Sequence, residues 1–165
     1  ISPLKLKIPS PKETGKTFNS NSKLKAKYFA KYVNYPVISD DSGLVIKALR
    51  NQPGIYSARL AKKKGSFLNA MKYILNKLKN KKNRSAYFVC SLSFINKKGK
   101  IITVNGKIYG KISRKILGKK GFGYDPIFIP SNKTNTFGQM PKMKKIMIDH
   151  RFNAFRKLKQ KVSIL

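Results

Sequence analysis

The sequence predicts an α/β fold, because two kinds of hydrophobic periodicity alternate along it. Segments around 21–32, 66–78 and 149–162 repeat apolar residues at helical spacing, while 86–94 and the run from Ile102 to Ile112 alternate with period two. The 165 residues are 41% hydrophobic and 11% aromatic, which suits one globular domain with a real core.

Taken in order, Pro3, Pro9 and Pro11 make the first dozen residues an extended lead-in, and Gly15 marks a turn. The first helix is expected from about Asn21 to Tyr32, with Phe18, Leu24, Tyr28, Phe29 and Tyr32 as its apolar stripe. Tyr35 to Ile38 reads as a short strand that gives way to a loop at Asp40-Asp41, with Gly43 permitting a tight turn and Leu44 to Ile46 forming a second short strand. Pro53-Gly54 is a turn signal. Ser66 caps a helix whose Phe67, Leu68, Met71, Ile74, Leu75 and Leu78 form a clean stripe. Asn96 to Gly99 then closes a long antiparallel hairpin, in which Gly106 and Gly110 imply bends or bulges where something packs close. A short strand follows at Ile127 to Ile129, and Asp149 caps the last helix, which puts His150 and Arg151 in its first turn.

Charge narrows the partners. Thirty-eight Lys and Arg stand against five acidic residues, for a net charge of +33, so a polyanion or nucleotide phosphates would bind and non-specific nucleic-acid binding is an expectation. The lysines are spread over nearly every segment, which fits compositional drift better than one evolved nucleic-acid stripe. The single Cys90 sits in an apolar run and reads as a small core thiol. No apolar run approaches a bilayer span and residues 1–5 lack a signal-peptide core, so no membrane partner and a cytoplasmic location are expected.

Two of the five carboxylates, Asp40 and Asp41, are adjacent. Their mutual repulsion calls for a divalent cation, a basic neighbour or solvent. Five stretches then occur in register: Glu13 to Phe18 with Asn21 and Lys25, Ser39 to Leu44, Pro53 to Arg59, Gly121 to Phe128, and Asp149 to Arg151. With these the chain resembles the inosine triphosphate pyrophosphatases, which hydrolyse ITP, dITP and XTP to the monophosphate and pyrophosphate.

The resemblance implies an elongated, twisted mixed sheet flanked by helices, two lobes around a nucleotide cleft, and a homodimer. It implies Mg2+ held by Glu13, Asp40 and Asp41, with Asp41 as general base. Lys25, Ser42 and Lys145 match substrate contacts, the two lysines near the triphosphate. Phe122 matches a ring that stacks on the purine, and Gly123 lies in the same loop. Tyr124, Asp125, His150 and Arg151 match the lining of the base pocket. Donors there would favour a 6-oxo over a 6-amino purine.

Three departures accompany the resemblance. Residues 1–12 match neither the family's first strand nor its Gly-Asn-x-x-Lys phosphate loop, so residues 1–165 are expected to form one domain lacking that strand and helix. Asp149 stands where Ser is usual, and Gln139 where an acidic residue is usual. Two other functions compete: a nucleic-acid-binding protein on an inactive pyrophosphatase scaffold, and a related nucleotide pyrophosphatase of different base preference.

Overall fold

The two period-two segments lie side by side at the centre of the sheet. In a computed structural model, which describes residues 5–163, β3 (Ser85–Ile95) and β4 (Ile101–Ile112) pair antiparallel along their whole length. β1 (Val37–Ile46) runs along the other side of β3, and the short β2 (Gln52–Pro53) and β5 (Phe128–Pro130) complete the order β2-β1-β3-β4-β5. Every pairing among the described residues is antiparallel, where the resemblance implied a mixed sheet. The lead-in holds no regular element between residues 8 and 12, and Pro3 and the rest of residues 1–4 lie outside the described residues.

β1 corrects one expectation. Val37 to Ile46 is a single strand paired with β3 from end to end, so Asp40 and Asp41 lie in mid-strand rather than at a strand-to-loop junction. Gly43 makes no turn there. A Cβ at that position would collide with the Gly54 carbonyl oxygen, so glycine lets the chain around Gly54 pack against the strand.

Strand alternation assigns the two faces. Leu44, Ile46, Ala86, Phe88 and Ile112 point to one side, where α2 (Ser57–Lys63), α3 (Phe67–Lys77) and the segments around Tyr124, Phe128 and Phe137 build the main core. Phe88 packs against Phe128 in a tilted pair with 4.7 Å between centroids, and Phe128 meets Phe137 at 5.3 Å. Burying such a side chain contributes about 1.5–3 kcal/mol. α5 (His150–Val162) packs on the same side, where Gly106 is essential: a Cβ there would meet the backbone of His150 and Ala154. The two hairpin glycines serve close approach, as expected, but the strand pairing is continuous through both, so neither forms the expected bulge.

The opposite face is covered by α1 (Phe18–Ala30), and its packing differs from the expected apolar stripe. The helix buries Asn21, Ser22 and Ala26 against the sheet. Ser22 Oγ lies 2.9 Å from Ser91 Oγ and 2.8 Å from Ser93 Oγ, and Ser93 Oγ continues to Thr103 Oγ1 at 2.9 Å. Small hydroxyl-bearing residues let helix and sheet approach closely, and each hydroxyl is satisfied by another. The helix starts earlier than its hydrophobic pattern suggests because Thr17 and Ser20 form a reciprocal cap.

The caps at Ser66 and Asp149 are as expected: Ser66 Oγ accepts from Asn69 N–H and Asp149 Oδ1 from Phe152 N–H. Two short helices, α2 and α4 (Lys142–Ile146), escaped the sequence pattern because each is too brief to establish a period. Cys90 is buried, and burial pushes its thiol up to about 11, consistent with a core residue. No helix among the described residues is long and apolar enough to cross a membrane.

Candidate active site

Asp41 points to the α1 face and is 7% exposed. Its Oδ2 accepts from Asn21 Nδ2–H at 3.1 Å, and its Oδ1 lies 3.9 Å from Lys25 Nζ. Lys25 in turn donates to Glu13 Oε1 at 2.6 Å. Asn21 is the joint between these groups, because its Oδ1 also accepts from Gly15 N–H at 2.8 Å and so fixes the loop that carries Glu13. Arg59 holds that loop from the other side, donating to the Glu13 carbonyl oxygen at 2.7 Å.

Burial raises the Asp41 carboxyl to about 6, against the lowering effects of the Asn21 hydrogen bond and the Lys25 charge, with Glu13 and Asp40 adding to the rise. An ordinary Asp is a weak base at neutral pH. This one has a proton affinity much closer to what a general base needs.

Asp40 faces the other way. It accepts from Ser42 Oγ–H at 2.9 Å and lies 3.7 Å from Arg151 Nη2. Glu13, Asp40 and Asp41 therefore do not gather into one cluster, and no group of three metal-binding side chains occurs among the described residues. Two carboxylates on the α1 face, Glu13 and Asp41, share Lys25. One or two carboxylates completed by substrate phosphates are the usual protein share of a Mg2+ site, so this pair fits such an ion without Asp40.

The residues expected at the base end do converge. Ser42, Phe122, Gly123, Tyr124, Asp125, His150 and Arg151 all line one cavity of about 140 Å³, and Phe122 and Arg151 also line a neighbouring one of about 590 Å³. Phe122 is 57% exposed. Cations already attend its ring, with Lys145 Nζ at 4.5 Å and the Arg151 guanidinium at 4.8 Å from its centroid.

Asp125 builds the loop from below. It is buried, and its Oδ2 accepts from Phe122 N–H at 2.8 Å and from Lys145 Nζ at 2.6 Å. Burial pushes this carboxyl above its ordinary value, and the Lys145 ammonium and the Phe122 N–H both oppose that rise. A side chain on Gly121 would collide with the carboxylate, and Gly121 and Gly123 both adopt positive φ, at 78° and 63°. Lys145 is thus buried at the base end, bound to Asp125, and not beside Lys25 where the triphosphate was expected. Tyr124 is also buried, and its hydroxyl donates to the Ser57 carbonyl oxygen at 2.8 Å, so it anchors the loop to α2.

His150 stacks on Phe88 at 4.9 Å with 13° between the rings. Its Nδ1 is buried and has no hydrogen-bond partner among the described residues. Burial, with Arg151 and Lys145 nearby, lowers the imidazole to about 3, so it is neutral at physiological pH.

The Ham1 family model matches residues 2–161. The chain belongs to the Ham1 family. Its curated relatives include a dITP/XTP pyrophosphatase of Acholeplasma laidlawii, 44% identical over 86% of this chain and 70% of the relative. The corresponding protein of Dictyoglomus thermophilum is also 44% identical, over 94% of this chain and 77% of its own length. Among solved structures, the Staphylococcus aureus Ham1 protein superposes with a TM-score of 0.91 at 38% identity, covering 98% of this chain and 84% of that one. The HAM1 protein from Coxiella burnetii gives 0.89 at 34% identity, with the same coverage. The α/β architecture derived above is therefore the Ham1 fold.

Asn21 and Arg59 stand within the stretches that resemble the pyrophosphatases, yet sequence reasoning gave neither a role. An asparagine inside a matching stretch, on a helix otherwise rich in lysine, was the available signal for the first. For the second nothing local distinguishes one arginine among so many cations.

Proposed function

We propose that this chain hydrolyses non-standard purine nucleoside triphosphates of the dITP and XTP class to the monophosphate and pyrophosphate. Family membership supports the reaction, since relatives covering most of the chain carry the name dITP/XTP pyrophosphatase. The observation that carries the reading for this chain is the division of labour across β1. Asp41, with its raised proton affinity, sits among Glu13, Lys25 and Asn21 on one face, and the Phe122–His150–Arg151 cavity opens on the other.

At the phosphate end, Asp41 takes the proton of the attacking water, and Lys25 offsets charge on the phosphate oxygens. Mg2+ belongs to the same proposal. Held by Glu13 and Asp41, it would neutralise phosphate charge and acidify the water. Lys25 must release Glu13 for this, and the incoming phosphates offer it a new partner. At the base end, the purine stacks on Phe122 and displaces one of the cations resting there. Arg151 and the single N–H of neutral His150 donate to a 6-oxo group, while a 6-amino group would leave them facing donors.

The test is pyrophosphate release from ITP, XTP, GTP and ATP, with and without Mg2+, by this chain and by Asp41→Asn. Turnover of ITP and XTP well above ATP, lost in the variant, supports the reading; equal turnover of ATP sinks the base assignment, and full activity of Asp41→Asn sinks the catalytic one. A homodimer and a cytoplasmic setting complete the proposal, and sedimentation of the purified chain reads the first.

A further inference from the structure

We propose that the uncovered end of the sheet face shared with α1 binds single-stranded nucleic acid by stacking bases on Tyr87 and Tyr109. The even spread of lysine gives no location for a polyanion, so what localises the site is its aromatic content. α1 covers Ser91 and Ser93, and its first turn ends the cover at Val89. Beyond it lie Tyr87, half-buried and lining a groove with the first turn of α1, and Tyr109. These two are directly opposite in the β3–β4 register, with ring centroids 5.5 Å apart, and Tyr109 is 58% exposed.

Cations surround the pair. Lys47 and Lys107 hold their ammonium groups 5.6 and 5.3 Å from the Tyr87 centroid. A groove of about 620 Å³ leads from Tyr109 and Lys107 to Arg156 and Lys157 on α5, and a second of about 270 Å³ leads from Lys107 past Tyr87 to the start of α1. No carboxylate lines either one. All five acidic side chains are engaged elsewhere, four around the two halves of the active site and Asp149 as the α5 cap.

A pair of tyrosine rings tilted 47° to each other and ringed by flexible cations suits a single strand, whose bases can turn individually onto each face. Bases stack on rings regardless of sequence, while lysines leave the ring faces for phosphates. A duplex keeps its bases stacked on each other and gains nothing from the tyrosines. The proposal does not rest on the pyrophosphatase reading: the tyrosines lie on the face opposite the Phe122 cavity and, although they share the α1 face with Asp41, Tyr87 pairs with Val45, four positions along β1 from it.

The test is fluorescence anisotropy of a labelled oligothymidylate titrated with the full chain at near-physiological salt. Tyr87→Leu and Tyr109→Leu should each weaken binding about tenfold with the salt slope unchanged, since stacking and not phosphate contact is lost. Tyr109→Phe should keep wild-type affinity, and Lys107→Ala should reduce the salt slope by about one. Tyr73→Leu, an exposed tyrosine on α3 with Lys64 and Lys77 at 4.2 and 5.7 Å, should bind as wild type. Wild-type binding by both sheet variants, an equal loss in Tyr73→Leu, or equal affinity for duplex would overturn the site. So would anionic phosphatidylserine vesicles that compete with the oligonucleotide and lose affinity in the same tyrosine variants, which would make the face a membrane contact.

Discussion

Asp40 and Asp41 are consecutive residues that serve opposite faces of one sheet: Asp41 accepts from Asn21 beneath α1, and Asp40 accepts from Ser42 and faces Arg151 at the start of α5. β1 therefore runs through the proposed active site as a partition. A substrate whose phosphates reach Asp41 and whose base reaches Phe122 must pass this strand, which couples the two ends of the site through two adjacent residues.

Substitution should separate the two carboxylates. Asp41→Asn is expected to lower kcat by about 10²–10⁴, the range for loss of a general base. Asp40→Asn keeps Asp41 and loosens only Arg151, so KM for ITP should rise more than kcat falls. Steady-state pyrophosphate release from both variants measures the split, and equal kcat losses would argue that both aspartates act on the phosphates.

The Lys145–Asp125 pair should matter for stability as much as for binding. Lys145→Met leaves a buried carboxylate with only the Phe122 N–H, and removing one partner of such a pair costs about 3–5 kcal/mol. Asp125→Asn should cost less activity toward ITP than Asp125→Ala, because an amide oxygen still accepts from Phe122. Urea denaturation and turnover together check both statements.

Acid should weaken the fold through His150. Its folded value of about 3 lies below the ordinary 6.5, so the unfolded chain binds the proton more readily between those pH values. The stability held by neutral His150 is complete above pH 6.5 and is lost as pH falls through 3, by about 5 kcal/mol in total. Asp41 acts in the opposite sense: its raised carboxyl favours the fold in acid, and that contribution is lost as pH rises from about 4 to about 6. His150→Gln, measured beside the parent from pH 7 to pH 4 without divalent cations, should lose most of the acid sensitivity; an unchanged slope would mean that His150 is solvated.

Gly106→Ala is expected to be severe for so small a change. The added methyl meets the His150 carbonyl and the Ala154 backbone, so α5 must move and carry His150 and Arg151 with it. Overpacking of this kind costs about 1–3 kcal/mol. ITP turnover should fall along with the melting temperature, whereas Gly99→Ala, in the distant hairpin turn, should leave turnover unchanged.

The sequence by itself determined the elements whose causes are local. Period-two alternation located β3 and β4, and the caps at Ser66 and Asp149 located the starts of α3 and α5, because a strand face or a capping hydrogen bond involves only residues a few positions apart. Five stretches in register also named residues that line one cavity beside Phe122. Tertiary structure decided which side of each element meets what. The polar face of α1 won over its aromatic stripe because the facing strand presents Ser91 and Ser93, partners some seventy positions away. Gly43 marks a close contact instead of a turn because Gly54 returns to pack on it. Lys145 left the phosphates for Asp125, since a buried carboxylate needs a cation and only the fold brings that one within 2.6 Å. In a chain with so many lysines, composition reveals that cations abound, and only three-dimensional packing decides which of them acquire a partner.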